Sequence, residues 1–308
     1  MKVLPFQPPL PSLPPLLSVS LPRLPLPAVS LPFLSRVRHA RLPVALLRAT
    51  ALDLAILTGH ALLYPAGIAQ ERRAAALPPE ASALPTEGRA RPPVVLLHGF
   101  VDNRSVFVLL RRSLARHGWR HLVSLNYSPL TCDVRTAAEL LGRHIEEISA
   151  RTGHQRVDIV GHSLGGLIAR YYVQRLGGDL RVRTLVTLGT PHEGTTVVPL
   201  ANAHPVVRQM RPGSAVIEEL RLPAPGCRTR FVSFWSDLDQ LMAPVGTARI
   251  EHPDLCAENV KVSGVGHLGL PVHPAVAAGI RHALETDPTP DAHTASGSAS
   301  AGGSISVA

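Results

Sequence analysis

Residues 157–166 constrain the fold more than any other stretch of the chain. They read Val157-Asp158-Ile159-Val160-Gly161-His162-Ser163-Leu164-Gly165-Gly166. The first half is a β-type run, and Leu164 to Leu176 reads as a helix. Between the two stands Gly-x-Ser-x-Gly. A serine on so sharp a strand-to-helix turn takes a strained backbone, and its neighbours must lack side chains that would clash. Gly161 and Gly165 meet that need. The turn lifts the Ser163 hydroxyl out of the sheet, and the helix N-terminus behind it favours developing negative charge. The bland alternative is a glycine-rich helix cap with no chemistry.

Strands and helices alternate around this segment. Pro93 to Leu97 is a short apolar run ending at His98-Gly99, and His121 to Leu125 is the next strand. The pattern predicts a helix over 105–116, and another from Asp133 to Arg151, with Asp133 as N-cap and Gly153 just past its end. Further strands are expected at 156–160, 182–188, 230–235 and 259–262, and a last helix near 274–284. Such alternation implies an α/β domain with a mostly parallel sheet and helices on both faces.

A serine hydroxyl is a poor nucleophile until a base takes its proton. In a fold with this nucleophile turn, the acid and then the base follow the serine in sequence. His267 fits the base: it stands between glycines in a loop directly after the last expected strand. The chain holds fifteen histidines, but the nearest competitors, His252 and His273, do not follow a strand in that way. After the preceding strand come two acids, Asp237 and Asp239. Asp239 is preferred, because Gln240 to Pro244 reads as a turn that packs over it; Asp237 is the reserve. The acid would fix the histidine tautomer and stabilise imidazolium. An oxyanion hole needs two backbone N–H groups, expected from Leu164 and from Phe100 in the His98-Gly99-Phe100 loop.

The rest of the chain divides by composition. Residues 1–41 hold ten of the thirty prolines, too dense for helix or sheet, and read as an extended, disordered arm. Residues 42–70 are apolar and helix-friendly, 71–92 read as a linker, 93–285 as the compact α/β domain and 286–308 as a disordered tail. The net charge of +9 invites a nucleic-acid partner, but its distribution argues against one. Residues 1–52 carry six basic groups and no acid, leaving the remainder at +3.

Residues 42–70 admit two readings. The 22 residues between Arg48 and Glu71 are long enough to span a bilayer, with four arginines before them. Asp53 weighs against that, at about 2.5–3.5 kcal/mol if placed at mid-membrane. A membrane or export segment and a helix packed on the domain both stay open. The arm favours a membrane-associated or secreted protein over a cytoplasmic one, with residues 1–70 as the part that meets a membrane surface.

The chain resembles the small bacterial lipases and esterases of the α/β-hydrolase superfamily. The shared pieces are His98-Gly99-Phe100, Gly161 to Gly166, Leu188-Gly189-Thr190-Pro191-His192-Glu193-Gly194, Ser236 to Asp239 and Gly266 to Leu270. They fall in the expected order over about 93–275. In that family the acid lies three residues after a serine ending its strand, which maps onto Asp239 after Ser236. The resemblance implies hydrolysis of lipid or small esters with apolar acyl chains, without metal or organic cofactor. An acyltransferase or thioesterase on the same triad is the alternative, and a non-catalytic binding protein on this fold is a third reading. Residues 192–225 would form a pocket wall or short lid, although their apolar residues suit a core helix equally well.

The cysteines carry a smaller expectation. Cys227 and Cys256 precede the strands that lead to the acid and the histidine. If those strands are neighbours, a bridge between their starts would stabilise by about 2–4 kcal/mol and leave Cys132 free.

Overall fold

In a computed structural model, the structure describes residues 44–59, 91–100, 104–127, 133–197, 204–286 and 304–305. The Pro-rich arm at 1–41, residues 60–70, most of the linker and Cys132 lie outside them. Strand β1 (Val94–Leu97) pairs with β2 (Leu122–Leu125) on one side and with β3 (Val157–His162) on the other. From β3 the sheet runs on through β4 (Val182–Leu188), β5 (Arg230–Ser236) and β6 (Cys256–Val262). A two-residue strand, β7 (Ser304–Ile305), adds to the β6 edge, within the stretch that composition reads as a disordered tail. The order is β2-β1-β3-β4-β5-β6-β7, parallel at every pairing.

Strand alternation divides the core into two layers. Val94 and Leu96 face one side of the sheet with Val160, Val186 and Phe234. Val95 and Leu97 face the other with Ile159, Leu185 and Phe231. All are buried, and each such side chain contributes roughly 1.5–3 kcal/mol.

The first layer is covered by α2 (Val108–Arg116), entered through a 3-10 turn at Arg104–Phe107, and by the final helix α7 (Pro274–Glu285). The second is covered by α3 (Val134–Thr152) and α4 (Leu164–Arg175). Helix α3 begins where Asp133 accepts a hydrogen bond from Thr136 N–H at 2.8 Å, and ends at Gly153 with φ +72°. Helix α4 is buried from Leu164 through Val173, because it lies between the sheet and other helices. Residues 44–59 form a further helix, α1. Among the described residues, no helix is long and apolar enough to cross a membrane.

Two expectations need correction. Cys227 and Cys256 are both free thiols. The register sets Cys256 opposite Arg230, so Cys227 falls three residues short of the paired strand. Cys227 is buried, and that burial pushes its thiol up; Cys256 is exposed. Strand β6 also begins three residues before the expected Asn259, because Cys256, Ala257 and Glu258 all pair with β5. Only its last residues are buried as a core strand is, so the exposed beginning lacks the apolar pattern of a strand.

Candidate active site

Every segment of the site follows the carboxyl end of a strand. Parallel strands bring those ends to one edge of the sheet, the edge where open α/β sheets bind ligands. Ser163 follows β3, Gly189 follows β4, Asp239 lies after β5 and His267 after β6.

The nucleophile turn is built from backbone. Ser163 has φ +52° and ψ −119°, and is the one non-glycine residue with positive φ among those described. Its N–H donates to Leu188 O at 2.9 Å, and Thr190 Oγ1 donates to its carbonyl at 3.0 Å. A Cβ on Gly161 would stand 2.6 Å from Gly166 N, and one on Gly165 would stand 2.4 Å from Leu97 O. Real Cβ atoms do not approach backbone so closely, so both positions exclude a side chain. Leu164 opens α4 directly behind the serine, and Gly99 and Phe100 line the pocket that Ser163 faces.

Asp239 and His267 meet over a sequence separation of 28 residues. His267 Nδ1 lies 2.8 Å from Asp239 Oδ2. A carboxylate only accepts, so Nδ1 carries the proton, and Nε2 keeps its lone pair. Both side chains are buried, Asp239 at 1% and His267 at 3% exposure. Asp239 Oδ1 accepts from Leu241 N–H at 3.0 Å and from Met242 N–H at 3.2 Å, so the turn after the acid folds back over it. Ser236 Oγ donates to Val265 O, tying the end of β5 to the loop that carries His267. Asp237 points elsewhere: it is 41% exposed and pairs with Lys261 at 2.9 Å.

Four histidines near the site have packing roles. His162 Nε2 donates to His267 O at 3.3 Å, and the two rings lie 4.8 Å apart. His98 stacks on Tyr127 at 4.5 Å and donates from Nδ1 to Gly99 O. His192 shares a hydrogen bond with Thr187 Oγ1 at 3.0 Å; burial and Arg170 push its pKa well below the usual value, so it stays neutral. Arg170, buried in α4, donates to His192 O and Leu220 O, holding the loop after β4. His273 caps α7.

Residues 192–225 divide between both roles open to them. Their described residues hold two short helices, α5 (Pro205–Gln209) and α6 (Ala215–Arg221). Val207 and Met210 line the pocket, while Val216, Ile217 and Leu220 belong to the core. The pocket is otherwise apolar, with Val197 and Leu241 exposed at its rim. A larger hollow of about 440 Å³ lies between α2 and α7; Ser113, His117 and Arg281 line it, and no carboxylate does. Among the described residues no cluster of His, Cys, Asp and Glu is arranged to hold a metal ion.

Gly189 belongs to the site although its spacing does not announce it. Its φ is +52°, and a Cβ there would stand 2.8 Å from Asp239 Oδ2 and 3.0 Å from His267 Nδ1. The absent side chain is the space in which acid and base meet. The available signal was a glycine directly after an expected strand, in Leu188-Gly189-Thr190-Pro191.

A parallel sheet of this order, with serine, acid and histidine after β3, β5 and β6, has the architecture of an α/β-hydrolase. Residues 93–240 match the palmitoyl protein thioesterase family. A triacylglycerol lipase from Burkholderia plantarii is 33% identical over 125 residues, 38% of this chain and 34% of that one. Another from Vibrio cholerae is 31% identical over 147 residues, 46% of this chain and 44% of that one. The chain spans less than half the length of these curated relatives. Aspergillus fumigatus lipase B superposes with a TM-score of 0.58 at 19% identity, covering 68% of this chain and 57% of that one. A Bacillus licheniformis lipase in its mature form superposes at 0.55 and 16% identity, covering 66% and 96%. The chain has the α/β-hydrolase fold, and its matches over 93–240 and among relatives are to thioesterase and lipase sequences.

Proposed function

We propose that the chain is a serine hydrolase of carboxylic esters with apolar acyl groups. The observation that carries the reading is the 2.8 Å contact of His267 Nδ1 with Asp239 Oδ2, set beside the strained Ser163 turn in one apolar pocket. Ser163 Oγ attacks the ester carbonyl carbon, and its proton passes to His267 Nε2. Asp239 stabilises the imidazolium that forms. The oxyanion accepts hydrogen bonds from the Leu164 and Phe100 N–H groups. The tetrahedral intermediate collapses, the carbonyl-to-alkoxy bond breaks, and His267 protonates the departing alcohol. Water then attacks the acyl carbon as His267 takes its proton; the acyl–Oγ bond breaks, His267 returns the proton to Ser163 Oγ and the acid leaves. No step calls for a metal or organic cofactor.

The apolar lining and the exposed Val197 and Leu241 at the rim support an apolar acyl group. A thioester is the second reading, favoured by the family match over 93–240. It uses the same acylation step with a thiol as leaving group. The basic, acid-free stretch at 1–52 supports a place at or beyond a membrane; fractionating the full chain beside one beginning at Glu71 tests this, and identical soluble behaviour would overturn it.

The enzymatic test is hydrolysis of p-nitrophenyl esters of graded chain length, and of acyl thioesters, by wild type and Ser163→Ala. Ester turnover in wild type and none in the variant is expected. Equal turnover in both overturns the mechanism, and turnover of thioesters alone selects the second reading.

A further inference from the structure

The triad leaves one ionisable group at the site without a role. Asp53 lies in the middle of α1, 216 residues before Gly269. Helix α1 turns Leu46, Ala49, Asp53 and Ile56 away from solvent, positions three and four apart that form one helical stripe. Three of them are apolar. The fourth places a carboxylate against the loop that carries the base.

Asp53 Oδ1 accepts from Gly269 N–H at 3.0 Å. A Cβ on Gly266 would stand 2.2 Å from Asp53 Oδ2, so the loop backbone lies directly on the carboxylate. The residue before His267 therefore makes room for Asp53, and the second residue after it donates to it. One turn earlier on α1, Thr50 Oγ1 accepts from Gln240 Nε2 at 2.6 Å, and Gln240 adjoins Asp239. A single helix thus touches both loops that supply acid and base.

Placing a carboxylate there is unfavourable for packing alone. Partial burial raises the Asp53 pKa, against the pull of the Gly269 amide, the His267 imidazole and the Leu268 amide; Asp239 raises it slightly further. An apolar residue would complete the stripe without that desolvation. The Gly269 amide that it holds offsets that cost.

We propose that Asp53 is a positioning residue for the base: it clamps the backbone after His267, and its charge acts with that of Asp239 when the imidazole takes up the serine proton. The proposal rests on the triad reading above. The titratable groups facing the imidazole are Asp239 from the turn after β5, His162 from the end of β3 and Asp53 from α1.

The test uses the full chain as wild type, Asp53→Ala, Asp53→Asn and Ser163→Ala, with p-nitrophenyl butyrate across pH. Asp53→Ala is expected to lose up to about a hundredfold in kcat, because a displaced base costs rate far more than binding. KM should stay near the wild-type value. Asp53→Asn keeps one acceptor oxygen and loses the charge, so it recovers part of kcat. Its acid limb of kcat/KM moves to lower pH, since a negative charge favouring imidazolium is gone. Wild-type kcat in both Asp53 variants overturns the clamp. A kcat loss with an unmoved acid limb in Asp53→Asn also overturns the proposal, leaving only structural support. If Asp53→Ala does not fold, the isosteric Asn variant decides by the same two readouts. Activity retained in Ser163→Ala overturns the triad itself, whereas an inactive Ser163→Ala beside fully active Asp53 variants overturns only the clamp.

Discussion

The nucleophile half of the site and the acid–base half are built in opposite ways. Ser163 and the two glycines that admit its turn lie within ten consecutive residues, from Val157 to Gly166. The excluded volumes there are backbone atoms of the same turn and of the adjoining β1 end. The acid–base half draws on segments far apart in sequence. Asp239, His267, Gly189 and the α1 side chain Asp53 converge from four of them. A site made locally tolerates distant change and fails when its own backbone is crowded. A site made by convergence fails when any contributor shifts, even with every reacting group present.

Substitutions can break or sharpen that contrast. The largest effect should come from the local half: Ser163→Ala should lower kcat by about 10⁶-fold, read from ester turnover with folding checked by thermal melting. Asp239→Asn should follow at about 10⁴-fold, because the amide favours the wrong histidine tautomer. Loss in Asp237→Asn instead would exchange the roles of the two acids.

Gly189→Ala tests convergence most directly. Its Cβ would enter the space between Asp239 and His267, where φ is already +52°. Activity should fall by about a hundredfold while most of the fold survives. In the local half, Gly165→Ala should instead reduce stability by about 1–3 kcal/mol, because its Cβ meets the Leu97 carbonyl. Denaturant melts of these two variants separate a site that loses alignment from a turn that loses its fold. The smallest effect belongs to Asp237→Asn. An exposed pair with Lys261 contributes about 0–1 kcal/mol, so turnover and melting should stay close to wild type.

The same contrast marks what a linear reading reaches. Helix α3 was legible at both ends because its start and stop signals are local: Asp133 accepts from Thr136 N–H, and Gly153 takes the left-handed conformation. Strand β4 was legible because Val182, Leu185, Val186 and Leu188 with two threonines make a β-type run, buried nearly throughout. The beginning of β6 was not. Cys256, Ala257 and Glu258 are held by pairing to β5 rather than by an apolar pattern. The cysteine bridge failed for a related reason: adjacency of two strands says nothing of register, and register is what places Cys227 and Cys256.

By itself the sequence determined the alternation of strand and helix, the Gly161-x-Ser163-x-Gly165 turn and the order of serine, acid and histidine. Each follows from short-range sterics, periodicity or chain order. The tertiary structure alone decided that Asp239 meets His267 while Asp237 meets Lys261, that Gly189 leaves room for the first pair, and that Asp53 reaches the loop after the base. Those contacts depend on how parallel strands bring their ends together and on which side chains then share a few ångströms, and distance along the chain carries no record of either.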